Sequence, residues 1–458
     1  MRVWHRRIVT GMIAGLLAVA SCARQAPPTD TEPEQVVPPR GRPAPVDDPE
    51  APPVPRADRA EPAGPVPPDT VVSLRDIRVG LLADLDRADV GGGDALLVTD
   101  PRGEFLDAIP EGWTMQLRRE GGGVALRDGE GRRVIPPRKA LVISPQTPGQ
   151  FVTLQGKEFR GELWAFAGSS GLTVVNRLGL ESYLAGVLSA EMGRREPHDQ
   201  PALLAQAVVS RTFAVKNLGK REAAGFDLLP TVADQVYGGV DSETGQAWDA
   251  VRRTRHQVLT YRGRVIDPFF SSTCGGTTAA GVEVFRAAER PYLQSLPDVS
   301  PTGEAYCRLS PRFRWREEWT GDQLTQTVRR FLPAVSSIGG SGIIAIRNVA
   351  ITERTGSGRV AAVAIQLAGQ GGESVVVRGP DIRRVLRPTT GRLLLSAQFS
   401  LTAGRQGGRV RQLTIDGAGA GHGVGFCQWG AVGRARAGQE YDEILAAYFP
   451  HTLLERLE

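Results

Sequence analysis

Between Val71 and about Gly161 apolar and polar residues alternate in short runs separated by glycine-rich turns such as Gly121-Gly122-Gly123 and Gly129-Glu130-Gly131. That period of two predicts a small β-rich module. One more apolar run, Leu172 to Leu178, reads as a strand, and then the period changes. Over Leu180 to Met192 the apolar positions are 180, 183, 184, 187 and 188, the spacing of one helical face, and Gly193 reads as the terminator. Gln200-Pro201 opens a second helix through about Leu218, with proline in its first turn and Gly219 beyond its end. Its face at Leu204, Val208, Arg211, Val215 and Leu218 is apolar except for one arginine, which requires a carboxylate partner that the first helix is placed to supply. Farther on, a helix is expected near Gln323 to Phe331, with strands at Ile343 to Ile351 and Val360 to Ile365. Strands and helices segregate instead of alternating, so the fold class is α+β.

The first 70 residues follow other rules. Arg2, His5, Arg6 and Arg7 precede an apolar run, Ile8 to Ala20, too short for a hydrocarbon core that needs about 20 residues; this is an export signal. It ends on Val19-Ala20-Ser21-Cys22, which resembles a bacterial lipobox, so Cys22 is expected to carry a lipid and residues 1–22 to be a lipoprotein signal peptide. Residues 23–70 hold 15 of the 33 prolines and no leucine, isoleucine or aromatic residue, the composition of an extended spacer. The expected organisation is therefore signal 1–22, tether 23–70, β-rich module 71–165 and a larger domain 166–458. The chain is expected to be exported and lipid-anchored, facing periplasm or cell wall, and to touch the membrane through the lipid only. A formal charge of +5 is mild for 458 residues, and no basic run is interleaved with aromatics, which argues against a nucleic-acid partner.

Chemistry concentrates on the first helix. Glu191 continues its apolar face into the last turn, where desolvation and the negative end of the helix dipole both disfavour a carboxylate. A carboxyl group held neutral near pH 7 is what a general acid requires. The alternative is an ion pair between Glu191 and Arg194 or Arg211. Glu181, in the first turn, reads as structural.

The blocks SAEM (189–192), PALLAQAVVSRTFA (201–214), DQVYGG (234–239), FFSSTCGGTT (269–278) and GHGVGFCQWGA (421–431) occur in that order. This ordered set resembles the SpoIID/LytB family, over roughly Leu172 to Glu458. The resemblance implies a SpoIID-like core and a lytic transglycosylase acting on peptidoglycan glycan strands stripped of stem peptides, with Glu191 as its catalytic acid. One acid suffices for such an enzyme, where hydrolysing glycosidases usually use two. The LytB branch implies the alternative, a non-catalytic glycan-binding enhancer with a cell-wall amidase as partner. Arg211, Gln235, Tyr237, Ser272, His422 and Gln428 are the substrate-binding candidates within these blocks, and Trp429 could stack on a sugar.

Beyond Cys22 there are three cysteines, Cys274, Cys307 and Cys427; an odd count in an exported chain means one disulfide plus a free thiol, or one site using all three. The resemblance implies structural zinc on these three, with His422 as the candidate fourth ligand, although Ser271 or Ser272 stands where related chains have a histidine. A disulfide stays open beside zinc. A Cys/His amidase built on Cys274 or Cys427 with His422 lacks a recognisable nucleophile context. The loop Gly417 to Gly425 offers neither GxGxxG nor a following Lys-Ser/Thr, so it is not a nucleotide loop.

Overall fold

The computed structural model describes residues 76–285, 289–369 and 374–457, and the architecture is α+β. Cys22, the signal and the proline-rich segment lie outside the described residues.

Twelve strands between Asp76 and Gly179 form two six-stranded sheets. The first runs, edge to edge, Asp76–Leu85, Leu172–Gly179, Glu162–Ala167, Ala140–Pro145, Leu96–Thr99 and Phe105–Ile109. The second runs Lys157–Phe159, Val152–Leu154, Arg87–Gly91, Thr114–Glu120, Gly123–Arg127 and Arg133–Arg138. Alternation explains the burial: Ile77, Val79, Leu141, Ile143, Leu163 and Ala165 all point into the core at 0% exposure. The expected boundary at 165/166 falls inside the strand Glu162–Ala167, and Leu172–Gly179 pairs on both sides within the same sheet. A boundary there would cut paired backbone, so the β-rich module extends to Gly179.

Two long helices follow directly: α1 (Leu180–Met192) and α2 (Gln200–Lys216). The positions expected to be apolar and inward on α1, namely Leu180, Tyr183, Leu184, Val187 and Leu188, are all buried. Gly193 ends α1 with φ +68° and donates its N–H to the Ser189 carbonyl. The second helix stops at Lys216, two residues early, where the Asn217 side chain donates to the Phe213 carbonyl. Then comes α3 (Gly245–Arg253), capped by the Thr244 hydroxyl.

The segment from Trp319 to Ile415 builds its own apolar core, around Trp319, Leu324, Val328, Ile346, Val363, Ile365 and Leu413. Its elements are a helix Gly321–Phe331 and two three-stranded sheets, one of Ile343–Arg354, Val360–Gly369 and Ser374–Arg378, the other of Arg314–Thr320, Arg409–Ala418 and Phe399–Gln406. Afterwards the chain returns to the first core, which Val424, Phe426, Ala431, Val432 and Leu445 complete alongside α1 and α2. The larger domain expected over 166–458 thus has two cores, and the first of them is shared with the N-terminal sheets. Among the described residues no helix is long and apolar enough to cross a membrane.

Candidate active site and metal centre

Gly186 lies in the middle of α1, where glycine costs about 1 kcal/mol relative to alanine. Its purpose is local: a Cβ at 186 would stand 2.7 Å from Cε2 of Tyr237. The Tyr237 ring occupies that space, packs 5.1 Å from the ring of Tyr183 and donates its hydroxyl to Asn176 Oδ1 at 2.9 Å. Gly238 adds an N–H bond to the Gly186 carbonyl. At the other end of this loop Asp234, buried, is held by Lys220, Arg221 and the Leu229 N–H. Pinned at both ends, the 234–238 loop presents the Val236 N–H to Glu191 Oε1 at 2.7 Å.

The second oxygen of Glu191 accepts from Gln428 Nε2 at 3.2 Å. Gln428 opens the helix Gln428–Arg436, whose N-cap is Cys427, its sulfur accepting from the Gly430 N–H. Glu191 remains half-buried, and its carboxyl is ringed by protein. Burial pushes its pKa up from 4.5 to about 7, against the opposing pull of the Val236 and Gln428 donors. Among the described residues no cation pairs with it. The ion pair expected as the alternative goes elsewhere: Arg211 forks onto Glu181 at 2.8 and 2.6 Å, so the carboxylate that the first helix supplies is Glu181.

The other candidates divide. Gln428 touches the acid, and Gln235 precedes the residue that does, with its carbonyl oxygen accepting from Tyr183 and its Nε2 buried without a partner among the described residues. Ser272 lies behind them, its carbonyl accepting the Trp429 N–H at 3.0 Å. Arg211 and Tyr237 are corrections to the expected substrate set. Arg211 is fully enclosed, with its remaining donors on Thr254, Gln257 and the Val251 carbonyl, and Tyr237 is a packing residue whose hydroxyl is already used. His422 also stands apart. Its Nδ1 accepts from the Val424 N–H, its ring packs against Phe285 and Phe269, and burial lowers its pKa to about 4.

Cys274, Cys307 and Cys427 are all buried, and no disulfide joins them among the described residues. They converge with Asp298, the four ligand atoms lying within 4.8 Å of one another. Asp298 therefore takes the fourth place expected for His422. It arrives from a loop with no motif of its own, so no sequence signal marked it. The Sγ atoms of Cys274 and Cys307 are 3.7 Å apart, close to the ~3.8 Å that two ~2.3 Å zinc–sulfur bonds subtend at a tetrahedral angle. Hydrogen bonds from Cys274 and Cys427 pull the Cys307 thiol down, while its hydrogen bonds within the trio push Cys274 up and burial pushes Cys427 up. The outer shell is also in place: Tyr448 and Arg434 donate to Asp298 at 2.9 and 3.0 Å. Gly430 permits it, since a Cβ there would lie 2.1 Å from the Tyr448 hydroxyl and 2.3 Å from Asp298 Oδ2. Three buried thiols and one oriented carboxylate fit a structural zinc ion by number, softness and spacing. The same crowding leaves neither Cys274 nor Cys427 available to an amidase mechanism.

A family model described as stage II sporulation protein matches residues 168–261, and one described as a domain of unknown function matches residues 302–425, nearly the span of the second core. The chain is similar to an uncharacterised protein of Brachyspira hyodysenteriae, 33% identical over 298 residues that cover 65% of this chain and 72% of that protein. It is similar to the stage II sporulation protein D of Bacillus subtilis, 28% identical over 300 residues, 62% of this chain and 76% of that protein. To the amidase enhancer of Bacillus subtilis it is 26% identical over 295 residues, which cover 56% of this chain but 39% of that longer protein.

Proposed function

We propose that this chain, whose residues 168–261 match the stage II sporulation protein model and which is similar to a stage II sporulation protein D, is a peptidoglycan lytic transglycosylase acting in the cell envelope, with Glu191 as its acid and base. The observation that carries this reading is the state of Glu191: a carboxyl group with a pKa of about 7, held by two neutral N–H donors and unpaired with any cation among the described residues. At neutral pH much of it is protonated. It can give that proton to the oxygen between MurNAc and GlcNAc as the bond to the MurNAc anomeric carbon breaks. The resulting carboxylate then takes the proton of the MurNAc 6-hydroxyl while that oxygen attacks the same carbon. The products are a 1,6-anhydroMurNAc end and a free GlcNAc hydroxyl, and Glu191 recovers its proton.

Cys274, Asp298, Cys307 and Cys427 would hold zinc, which when bound supplies a structural cross-link among four segments of chain. Its bearing on the acid is positional, because Cys427 also caps the helix that begins with Gln428. Similarity to an amidase enhancer supports a second reading, in which the same surface grips glycan for a cell-wall amidase without cutting it. In either reading the substrate is a glycan strand, and Cys22 carries the lipid that keeps the exported protein at a membrane. The deciding assay is mass spectrometry of peptide-free glycan strands incubated with wild type and Glu191→Gln. Anhydro-ended disaccharides from wild type alone are expected. Strand binding by wild type without such ends would replace the enzyme by the enhancer.

A further inference from the structure

Four residues beyond Glu191, the Arg195 guanidinium lies on the indole of Trp429, its carbon 4.4 Å from the ring centroid. Trp429 directly follows Gln428 in the first turn of its helix, so one of two consecutive side chains touches the acid and the other carries a cation. Arg195 Nε is buried and has no hydrogen-bond partner among the described residues. The acid that acts on it, Asp199, is already committed: Arg436 forks onto it at 2.8 and 3.1 Å, and the Glu196 N–H caps it. Arg436 thus takes the side-chain hydrogen bonds of Asp199 and also feels Glu196, while Arg195 has no ion pair among the described residues. Burial, aided by the neighbouring Arg436 and only partly offset by Asp199, lowers the Arg195 pKa. Both Arg195 and Trp429 are only half-buried, so a solute can reach them.

We propose that Arg195 reads the lactyl carboxylate of a muramic acid residue whose stem peptide has been removed; the inference rests on the glycan reading above. Muramic acid differs from glucosamine by a lactyl ether on C3, two carbons from the anomeric carbon at which the strand is cut. In an intact wall the lactyl carboxyl is an amide and carries no charge. Removal of the stem peptide exposes a planar carboxylate, which a guanidinium braced on an aromatic face binds with two parallel hydrogen bonds. Glu191 is not pulled down by Arg195, whose charge is absent from the influences on its pKa. One cation then does two things: it selects stripped strands and fixes which sugar presents its anomeric carbon to Glu191.

The test measures binding, so it does not depend on cleavage. Peptide-free glycan strands are used as such and after carbodiimide coupling of their carboxyls to methylamine. Wild type is expected to prefer the free carboxylate by about 10- to 100-fold, the worth of one charge-assisted pair. Arg195→Gln should bind both strands alike, at the wild-type affinity for the methylamide form, and Arg195→Lys, which keeps charge without the fork, should retain part of the preference. A wild type that binds both strands equally, or an Arg195→Gln protein that still discriminates or no longer binds the methylamide strand, overturns the proposal. If wild type binds neither strand, the glycan reading itself falls and takes the proposal with it.

Discussion

Replacing Glu191 by glutamine is expected to weaken the enzyme and strengthen the fold. A carboxyl that ionises near 4.5 in the unfolded chain and only at about 7 in the folded one penalises the folded, ionised protein by roughly 3 kcal/mol. Below about pH 4.5 both states are protonated and the penalty is absent. Between 4.5 and 7 the unfolded chain releases its proton first and is favoured, and above about pH 7 the penalty is complete. Glutamine keeps the size of the side chain and an oxygen for the Val236 N–H, and the Gln428 amide can turn its own oxygen toward the new NH2. Urea unfolding should therefore find Glu191→Gln more stable than wild type by up to roughly 3 kcal/mol at pH 8 and equal to it at pH 4. Cleavage should fall by about 10² to 10⁴ or more in the same protein, because the transferable proton is gone. Wild-type activity should itself drop about tenfold from pH 6 to pH 8 as the acid ionises. Equal stability of the two proteins at pH 8, or a gain that persists unchanged at pH 4, would refute the reasoning, since either means that the carboxyl is not held neutral by its surroundings.

Other consequences can be checked separately. Cys22→Ser should move the protein from the detergent-extracted membrane fraction to the soluble one; a variant that stays membrane-bound removes the lipid anchor. Purified protein should carry one zinc and show no reactive thiol until a chelator is added, while Asp298→Ala should lose the metal and unfold at lower temperature; metal-free protein of unchanged stability would dismiss the centre. Glu181→Ala leaves Arg211 buried without its carboxylate and should cost about 3 to 5 kcal/mol in urea unfolding, with cleavage per folded molecule retained. A loss of catalysis without loss of stability would instead place Glu181 in the chemistry.

What the sequence made legible is what short-range periodicity encodes. The inward face of α1, the Gly193 terminator and the position of Glu191 in the last turn follow from the spacing of apolar residues over 13 positions. The arginine on the apolar face of α2 demanded a carboxylate, and α1 provides one. Pairing across long separations was beyond reach. Asp298 joins three cysteines from a motif-free loop, and the Val236 donor is a backbone group that no side chain announces. Tyr237 looked like a substrate-binding residue because aromatic side chains serve both packing and stacking, and only the gap at Gly186 distinguishes the two. The division expected at 165/166 sits inside a paired strand for a similar reason: a strand that closes a module and a strand that opens the next have the same alternating pattern.

The hydrogen bond from Gln428 to Glu191 joins residues 237 positions apart. A chain made from its N-terminus presents Glu191 long before its partner exists, with the whole second core still to come. During that interval the helix can form and bury its apolar face, but the acid has only half its donors. The site is thus complete only when the helix Gln428–Arg436, capped by Cys427, docks, and a fragment ending after residue 261 would hold the acid without the site. Under the proposed function, late assembly of this kind would keep the acid idle until the segment that carries Gln428 has folded onto it.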